Sequence, residues 1–386
     1  MIRSFKLMEK SCLKYIMSVI KCYKGLNVIG MKNKYFKLLS LAFFVSSNAF
    51  AISNQDNNMY SMYLESNNYK QQQEAYNYFL RNANSDALSL YKVGIANYYG
   101  YGVKQDESTA ISIFNKAASM KYGPAYTILG KHFIEKENNI PKGLEYLVKA
   151  IDYRDGEAAF YIGKMYDIGN KVEKNDYYAV KYYSDGAKLG SSEASYHIGR
   201  KMITSGDPSN YDRGISYLKR AASDKHKQAC IDLSKIFKTK NNFVKESPRD
   251  HIVYLNCAAV AGDPSSQKTL ADYYRTGTIV NADDQKAASY YDLYIRQNPS
   301  DKDPQLYFYA GAVNMRIGNP SSAITYFEIS SNLGNSEASY TLARLYENGY
   351  GIKKDLKNAL NLYKKAQEGG KDTVDDILRV EGKITQ

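Results

Sequence analysis

Small and large apolar residues recur along this chain at helical spacing, and in two phases. One pattern, A-x-x-x-L-G-x-x-Y with small residues allowed at its first and sixth places, returns along the chain. Its sixth place is held by Gly94, Gly130, Gly163, Gly199, Ser234, Ala271, Gly311 and Ala343. The interval is roughly 32 to 40 residues, the signature of a repeat architecture. The second pattern places a small residue ahead of large apolar ones three and four places on, then small ones at seven and eight. Ala110-Ile113-Phe114-Ala117-Ala118, Ala179-Tyr182-Tyr183-Gly186-Ala187 and Gly214-Tyr217-Leu218-Ala221-Ala222 are its clearest copies. That spacing gathers the apolar set on one helical face, so each unit is predicted to be two helices.

The connections agree with this. Four residues before the second helix's opening position stand Asp106, Asn139, Asn175, Asn210, Ser247, Asp283, Asn319 and Asp355. All can accept hydrogen bonds from the unpaired amides at a helix start, and are expected as N-caps. Pro248 and Pro320 directly follow two of them, where a missing N–H costs nothing. NYYGYGVKQD (97–106) returns as YENGYGIKKD (346–355), with Gly100, Gly102, Gly349 and Gly351 placed to end one helix and reverse the chain. No strand is expected before these glycines and no Lys-Ser/Thr follows, so a phosphate-binding loop is only weakly indicated. The fold class expected is all-α: an α/α superhelical solenoid of about eight to nine helical hairpins.

The GYGVKQD turn, the small-x-x-x-L-G opening and the closing K-A-A resemble Sel1-like repeats, relatives of tetratricopeptide repeats with a longer unit. The likeness spans about 86 to 370; it is specific in units one, three and eight, and degenerate in five and seven, where the double-glycine turn is lost. Tyrosine or another apolar residue stands where the family often has tryptophan. A half-match at Ala75-Tyr78-Phe79-Ala83 suggests an atypical capping unit starting near Asn58. The resemblance implies an adaptor that holds other proteins together, of an exported bacterial type, with support of host interaction or intracellular growth as a further implication of the family.

Tetratricopeptide-like stacking would turn the residue after the first-helix small position into a groove. That place reads Lys131, Lys164, Arg200, Lys235, then Asp272, Ala312 and Arg344. Four successive cations form a candidate stripe for an acidic segment or a C-terminal carboxylate; the alternative is a solvated face of a lysine-rich protein. Tyr91, Phe160, Tyr196, Phe308 and Tyr340, three places before the small residue, are packing positions by the same resemblance, with ligand stacking the alternative.

The front of the chain changes the picture of where the repeats work. MKNKYFKLLSLAFFVSSNAFA (31–51) has a lysine-bearing start, a short apolar run and an Ala49-Phe50-Ala51 end, as a cleaved secretory signal does. Residues 1–30 are expected to be a mis-assigned extension, with Met31 rather than Met1 the initiator, or else part of a long signal. The domains expected are a repeat block over 58–295, a linker at 296–305 (RQNPSDKDPQ), a second block over 306–370, and a tail at 371–386 with a short capping helix around Val374–Val380. Residues 1–51 carry +8 of the +12 formal charge, leaving +4 for the rest. A nucleic-acid partner is therefore not expected, since the basic excess lies outside the folded part. No integral membrane span is expected in the mature chain, the apolar run being shorter than a bilayer requires.

Past Ala51 two cysteines remain, Cys230 near the start of the first helix of unit five and Cys257 near the end of its second. Antiparallel helices bring those ends together, so a bridge is plausible in an oxidising compartment, two buried thiols being the alternative. Four histidines, His132, His197, His226 and His251, fall in different units with no second ligand at metal spacing. H-E-x-x-H, G-x-S-x-G and C-x-x-C are all missing. No cofactor, metal or catalytic set is expected. The chain, which contains 38 tyrosines and no tryptophan, reads as a non-enzymatic interaction scaffold of the periplasm or outer membrane, secreted outside the cell as a further possibility. Its partner would be an envelope or secreted protein. The alternative is a regulator or presenter of a cell-wall hydrolase, or a direct binder of glycan.

Overall fold

The computed structural model describes residues 58–239 and 246–385. The segments 1–30 and 31–51, with Ala49 and Ala51, lie outside the described residues. Residues 58–64 are helical, and eighteen helices follow: α1 (Tyr69–Asn82), α2 (Ala87–Tyr99), α3 (Glu107–Ser119), α4 (Gly123–Glu135), α5 (Ile140–Asp152), α6 (Gly156–Ile168), α7 (Asp176–Lys188), α8 (Ser192–Thr204), α9 (Pro208–Ser223), α10 (Lys227–Lys238), α11 (Pro248–Val260), α12 (Pro264–Thr276), α13 (Asp284–Gln297), α14 (Pro304–Arg316), α15 (Pro320–Asn332), α16 (Ser336–Asn348), α17 (Leu356–Glu368) and α18 (Val374–Ile384). No strand occurs among the described residues. The fold is an all-α superhelical repeat.

Two compact units divide at Met120/Lys121. In the first, Leu64, Ala75 and Phe79 from 58–64 and α1 are buried with Val93 and Ala96 of α2, forming the atypical opening unit. The second carries α4 to α18. In three hairpins a glycine of the first helix lies under an aromatic ring of the second: Gly94 under Phe114, Gly163 under Tyr183, Gly311 under Phe327. The small residue recurs because a larger one would hold the helices apart, and their apolar faces would meet water. Gly100 and Gly349 adopt φ of +79° and +70° and cap α2 and α16, donating to Ala96 and Leu345, conformations that a Cβ disfavours.

The expected second-helix caps are found at seven of eight places, Asp106, Asn139, Asn175, Ser247, Asp283, Asn319 and Asp355 each accepting from a backbone amide of its helix. Asn210 is the correction. Asp207 caps α9, which begins a turn earlier at Pro208, while Asn210 sits in the first turn and donates to Asp207 Oδ2 at 3.1 Å. An aspartate followed by proline outcompetes the later asparagine, because proline's fixed φ and missing N–H suit the first helical position. Asp207→Ala should cost about 1 kcal/mol and Asn210→Ala a few tenths, read by urea denaturation of the two variants.

Across 296–305 the core is continuous. Ala287 and Tyr291 of α13 share a buried cluster with Leu306 and Ala310 of α14. Tyr294 Oη donates to Asp301 Oδ2 at 2.6 Å and Tyr307 Oη to the Asp301 carbonyl at 3.0 Å, fastening the connection from both sides. At the far end α18 buries Val380 against Ala343, Ala359 and Tyr363.

The heavy use of tyrosine has a structural reason. Tyr183, Tyr291 and Tyr363 are among the largest fully buried side chains, and each gives its hydroxyl proton to a first-helix carboxylate: Asp167 at 3.1 Å, Asp272 at 2.6 Å and Glu347 at 2.8 Å. The ring fills the hairpin and the polar tip is satisfied.

Candidate interaction surface

Lys131, Lys164, Arg200 and Lys235 project from α4, α6, α8 and α10, the first helices of four consecutive hairpins, each one residue past the small position. Lys164, Arg200 and Lys235 are exposed and Lys131 is half-buried. The structure gives them unequal surroundings. The Lys131 ammonium stands 5.0 Å from the centre of the Tyr161 ring, and Tyr161 Oη donates to Glu135 Oε1 at 2.8 Å. Burial, with that hydrogen bond, pushes the Tyr161 hydroxyl well above its usual range.

Lys164 lies near His197, which is stacked on Tyr183 with centroids 5.1 Å apart and lies 5.3 Å from Phe160. Burial pulls His197 below its ordinary value against the nearby Glu193 and Asp167 carboxylates, and the Lys164 charge works in the same direction as burial. Arg200 is tied within the chain: it donates to Tyr196 Oη at 3.2 Å, and its Nε lies 3.7 Å from Asp232. Further along the series Asp272 accepts from Tyr291 and pairs with Arg275 at 3.4 Å, and Ala312 packs on the core around Phe327. At this one position positive side chains thus run over α4 to α10, are interrupted at α12 and α14, and return at Arg344 of α16, 6.0 Å from the centre of the Tyr340 ring.

The aromatic series is taken up by packing. Tyr91 meets Phe114, Phe160 meets Tyr183, Phe308 meets Phe327 and Tyr340 meets Tyr363, with centroids 5.7, 6.0, 5.8 and 5.7 Å apart. Tyr196 stacks on His226 at 4.5 Å. These rings are spent on the joint between the two helices of a hairpin or between neighbouring hairpins.

The histidines have structural partners. His226 caps α10, accepting from the Ala229 amide at 3.1 Å, while its Nε2 lies 3.3 Å from Glu193. His132 Nε2 lies 3.4 Å from Glu137. His251 is buried, 3.0 Å from Ser234 Oγ and 3.4 Å from Tyr273 Oη. Among the described residues no group of three potential metal ligands converges.

Cys230 and Cys257 are joined, with Cα atoms 5.6 Å apart, linking α10 to α11. Cys230 is fully buried and Cys257 half-buried. Two features here escaped the sequence. The Ser234–His251 pair could have been suspected, because both stand at positions that other units give to glycine or alanine. A second is Glu347, buried and bonded to Tyr363, Arg379 and Lys383; its partners lie up to 36 residues away, and no short pattern announces them.

Comparison with known proteins follows the same repeat. The Sel1 repeat profile matches residues 87–122, 156–191, 192–226, 264–298, 307–335 and 336–371, more than half of the chain. Chitin synthase regulatory factor 3 of Schizosaccharomyces pombe is 24% identical over 219 residues, which cover 53% of this chain and 23% of that protein. Chitin synthase regulatory factor 2 of the same yeast is 27% identical over 207 residues, 50% of this chain and 40% of that one. The matched region thus spans less than half the length of these relatives. Among solved structures, a protective antigen of uropathogenic Escherichia coli with an SLR fold aligns at a TM-score of 0.47, with 22% identity over 80% of this chain and 66% of that one. A Sel1 repeat protein from Oxalobacter formigenes aligns at 0.46, with 23% identity over 58% and 94%.

Proposed function

Because this chain belongs to the Sel1 repeat family, we propose that it acts as an exported, non-enzymatic scaffold that holds a protein partner in a bacterial cell envelope. The observation that carries this reading is the run of cations Lys131, Lys164, Arg200 and Lys235 at one register of four consecutive hairpins. A repeat that presents the same position every unit offers an extended partner a regular series of contacts, and cations at that position favour an acidic segment or a terminal carboxylate. Arg200, already paired with Asp232, contributes less than Lys164 and Lys235. The signal-like segment supports export, and a role in host interaction follows only if the partner is host-facing.

The test is capture. Crosslinking in intact envelopes, followed by purification, should recover a stoichiometric protein partner with the native chain. Lys164→Glu combined with Lys235→Glu should lower capture by about tenfold, since two like charges would face the partner, with helical content unchanged by circular dichroism. Equal capture by the double variant removes the cation row from the mechanism.

A second reading has its own support. The matched relatives bear the name of chitin synthase regulatory factors, so a regulator of an enzyme acting on cell-wall polysaccharide is a natural extension. Retention of the purified chain on peptidoglycan, without a protein partner, favours it.

A further inference from the structure

Unit five is built differently from its neighbours, and the differences converge on one hairpin. Four first helices, α2, α6, α12 and α16, end on a left-handed glycine that returns its amide to the helix. Three more, α4, α8 and α14, lack that glycine but still close on a residue that returns its amide to the helix; α10 ends instead on Thr239 in extended conformation, φ −130° and ψ 140°. Its hairpin interior is also exceptional. Where Gly163 or Gly311 closes under an aromatic ring, Ser234 meets His251 through a buried polar contact of 3.0 Å. Leu233 and Phe237 of α10 still share a buried apolar cluster with Ala258 of α11, but the glycine-under-ring contact and the C-terminal cap, two ordinary sources of hairpin stability, are both replaced in the hairpin that carries the Cys230–Cys257 bridge.

We propose that this bridge is a redox-controlled clamp: it holds α10 against α11, and its reduction loosens that hairpin alone, releasing Lys235 from the register of the cation row. Lys235 lies on α10, five residues beyond Cys230 and on the same helix. In a solenoid each unit is stabilised by itself and its two neighbours, so a local loss need not unfold the whole. The reductant class is a dithiol. Its thiolate attacks Sγ of half-buried Cys257, the S–S bond breaks, and Cys230 leaves as a thiolate that takes up a proton. The second thiol then attacks the mixed disulfide, freeing the Cys257 thiol and carrying away a new disulfide. Two electrons pass from the dithiol to the protein, and reoxidation restores the clamp.

The consequence for partner capture rests on the scaffold reading, but the clamp itself does not, and the measurement keeps them apart. Amide hydrogen exchange is followed by mass spectrometry on the full chain, oxidised, reduced with dithiothreitol, and reoxidised. The expected result is that exchange in α10–α11 accelerates on reduction by at least about fivefold more than in α6–α7, and returns on reoxidation. Cys230→Ala with Cys257→Ala should match the reduced state; if that variant does not fold, the reduced native chain supplies the answer. A smaller difference, or equal acceleration in every hairpin, overturns the clamp. Partner capture that fails while α10–α11 responds refutes the scaffold reading and leaves the clamp standing.

Discussion

Replacing Gly143 by valine should lower the unfolding free energy by about 3 kcal/mol, near the upper end for overpacking of a closed interior. A Cβ at Gly143 would stand 2.3 Å from Ile134 Cγ1 and 2.7 Å from the Gly130 carbonyl oxygen, and one at Gly130 would stand 2.9 Å from the Gly143 carbonyl. The two glycines let α4 and α5 approach backbone to backbone. Ile134 is buried and has little room to turn aside, and the carbonyl belongs to a hydrogen-bonded helix, so the strain falls on the interhelix distance. Spreading α4 from α5 would also pull Leu147 and Ala150 away from the core they share with Ile134 and Ile162. Gly143→Ala should cost less, about 2 kcal/mol, because its single methyl still meets the carbonyl. Urea denaturation at fixed protein concentration measures both. A valine variant within 0.5 kcal/mol of the native chain, on the order of an ordinary surface change, would show that the hairpin opens freely.

The second large effect concerns Glu347, through which α16 holds α18. Arg379 donates to its carboxylate from Nε at 3.1 Å and from a terminal nitrogen at 2.8 Å, Lys383 at 2.7 Å and Tyr363 at 2.8 Å. The Arg379 hydrogen bonds are the largest cause of a carboxyl lowered from 4.5 to about 2; burial opposes them, and Lys383 and Tyr363 add to them. A folded value below the unfolded one means stability fully present above pH about 4.5 and lost as pH falls toward 2. The span corresponds to about 3 kcal/mol at neutral pH. Glu347→Gln should therefore free α18 at pH 7, leaving Lys383 without its counter-charge and Arg379 with only Asp376, 2.7 Å away on its own helix, and the gap from the native chain should close between pH 4.5 and 2. Amide exchange of α18 across that range reads it. If α18 of the variant is as protected as native at pH 7, the carboxylate does not anchor the helix.

The hairpins were readable because a buried helical face needs small residues at fixed intervals, and Gly94, Gly163 and Gly311 stand at them in the linear sequence. Most caps were readable because an unpaired amide at a helix start calls for a short polar acceptor. Asn210 misled because two good caps, Asp207 and Asn210, lie within one turn, and the choice was made by Pro208. RQNPSDKDPQ looked like a break because prolines and polar residues interrupt the spacing, yet its flanks pack through Tyr291 and Leu306. A short capping helix is expected around Val374–Val380 and α18 spans Val374–Ile384, whereas its anchor at Glu347 has no local signature.

The sequence by itself determined the repeat, the pairing of helices within each unit and the polar chemistry of their ends, because these depend on residues within about 40 positions of one another. Tertiary structure alone decided which cations stay available and which are engaged: Arg200 meets Asp232 and Lys131 meets Tyr161 across neighbouring hairpins. It also decided that a glutamate in α16 is buried under an arginine and a lysine from α18. A side chain's charge is written in the chain, but its partner is set by how successive hairpins stack, and that geometry arises from the sum of many small packing contacts.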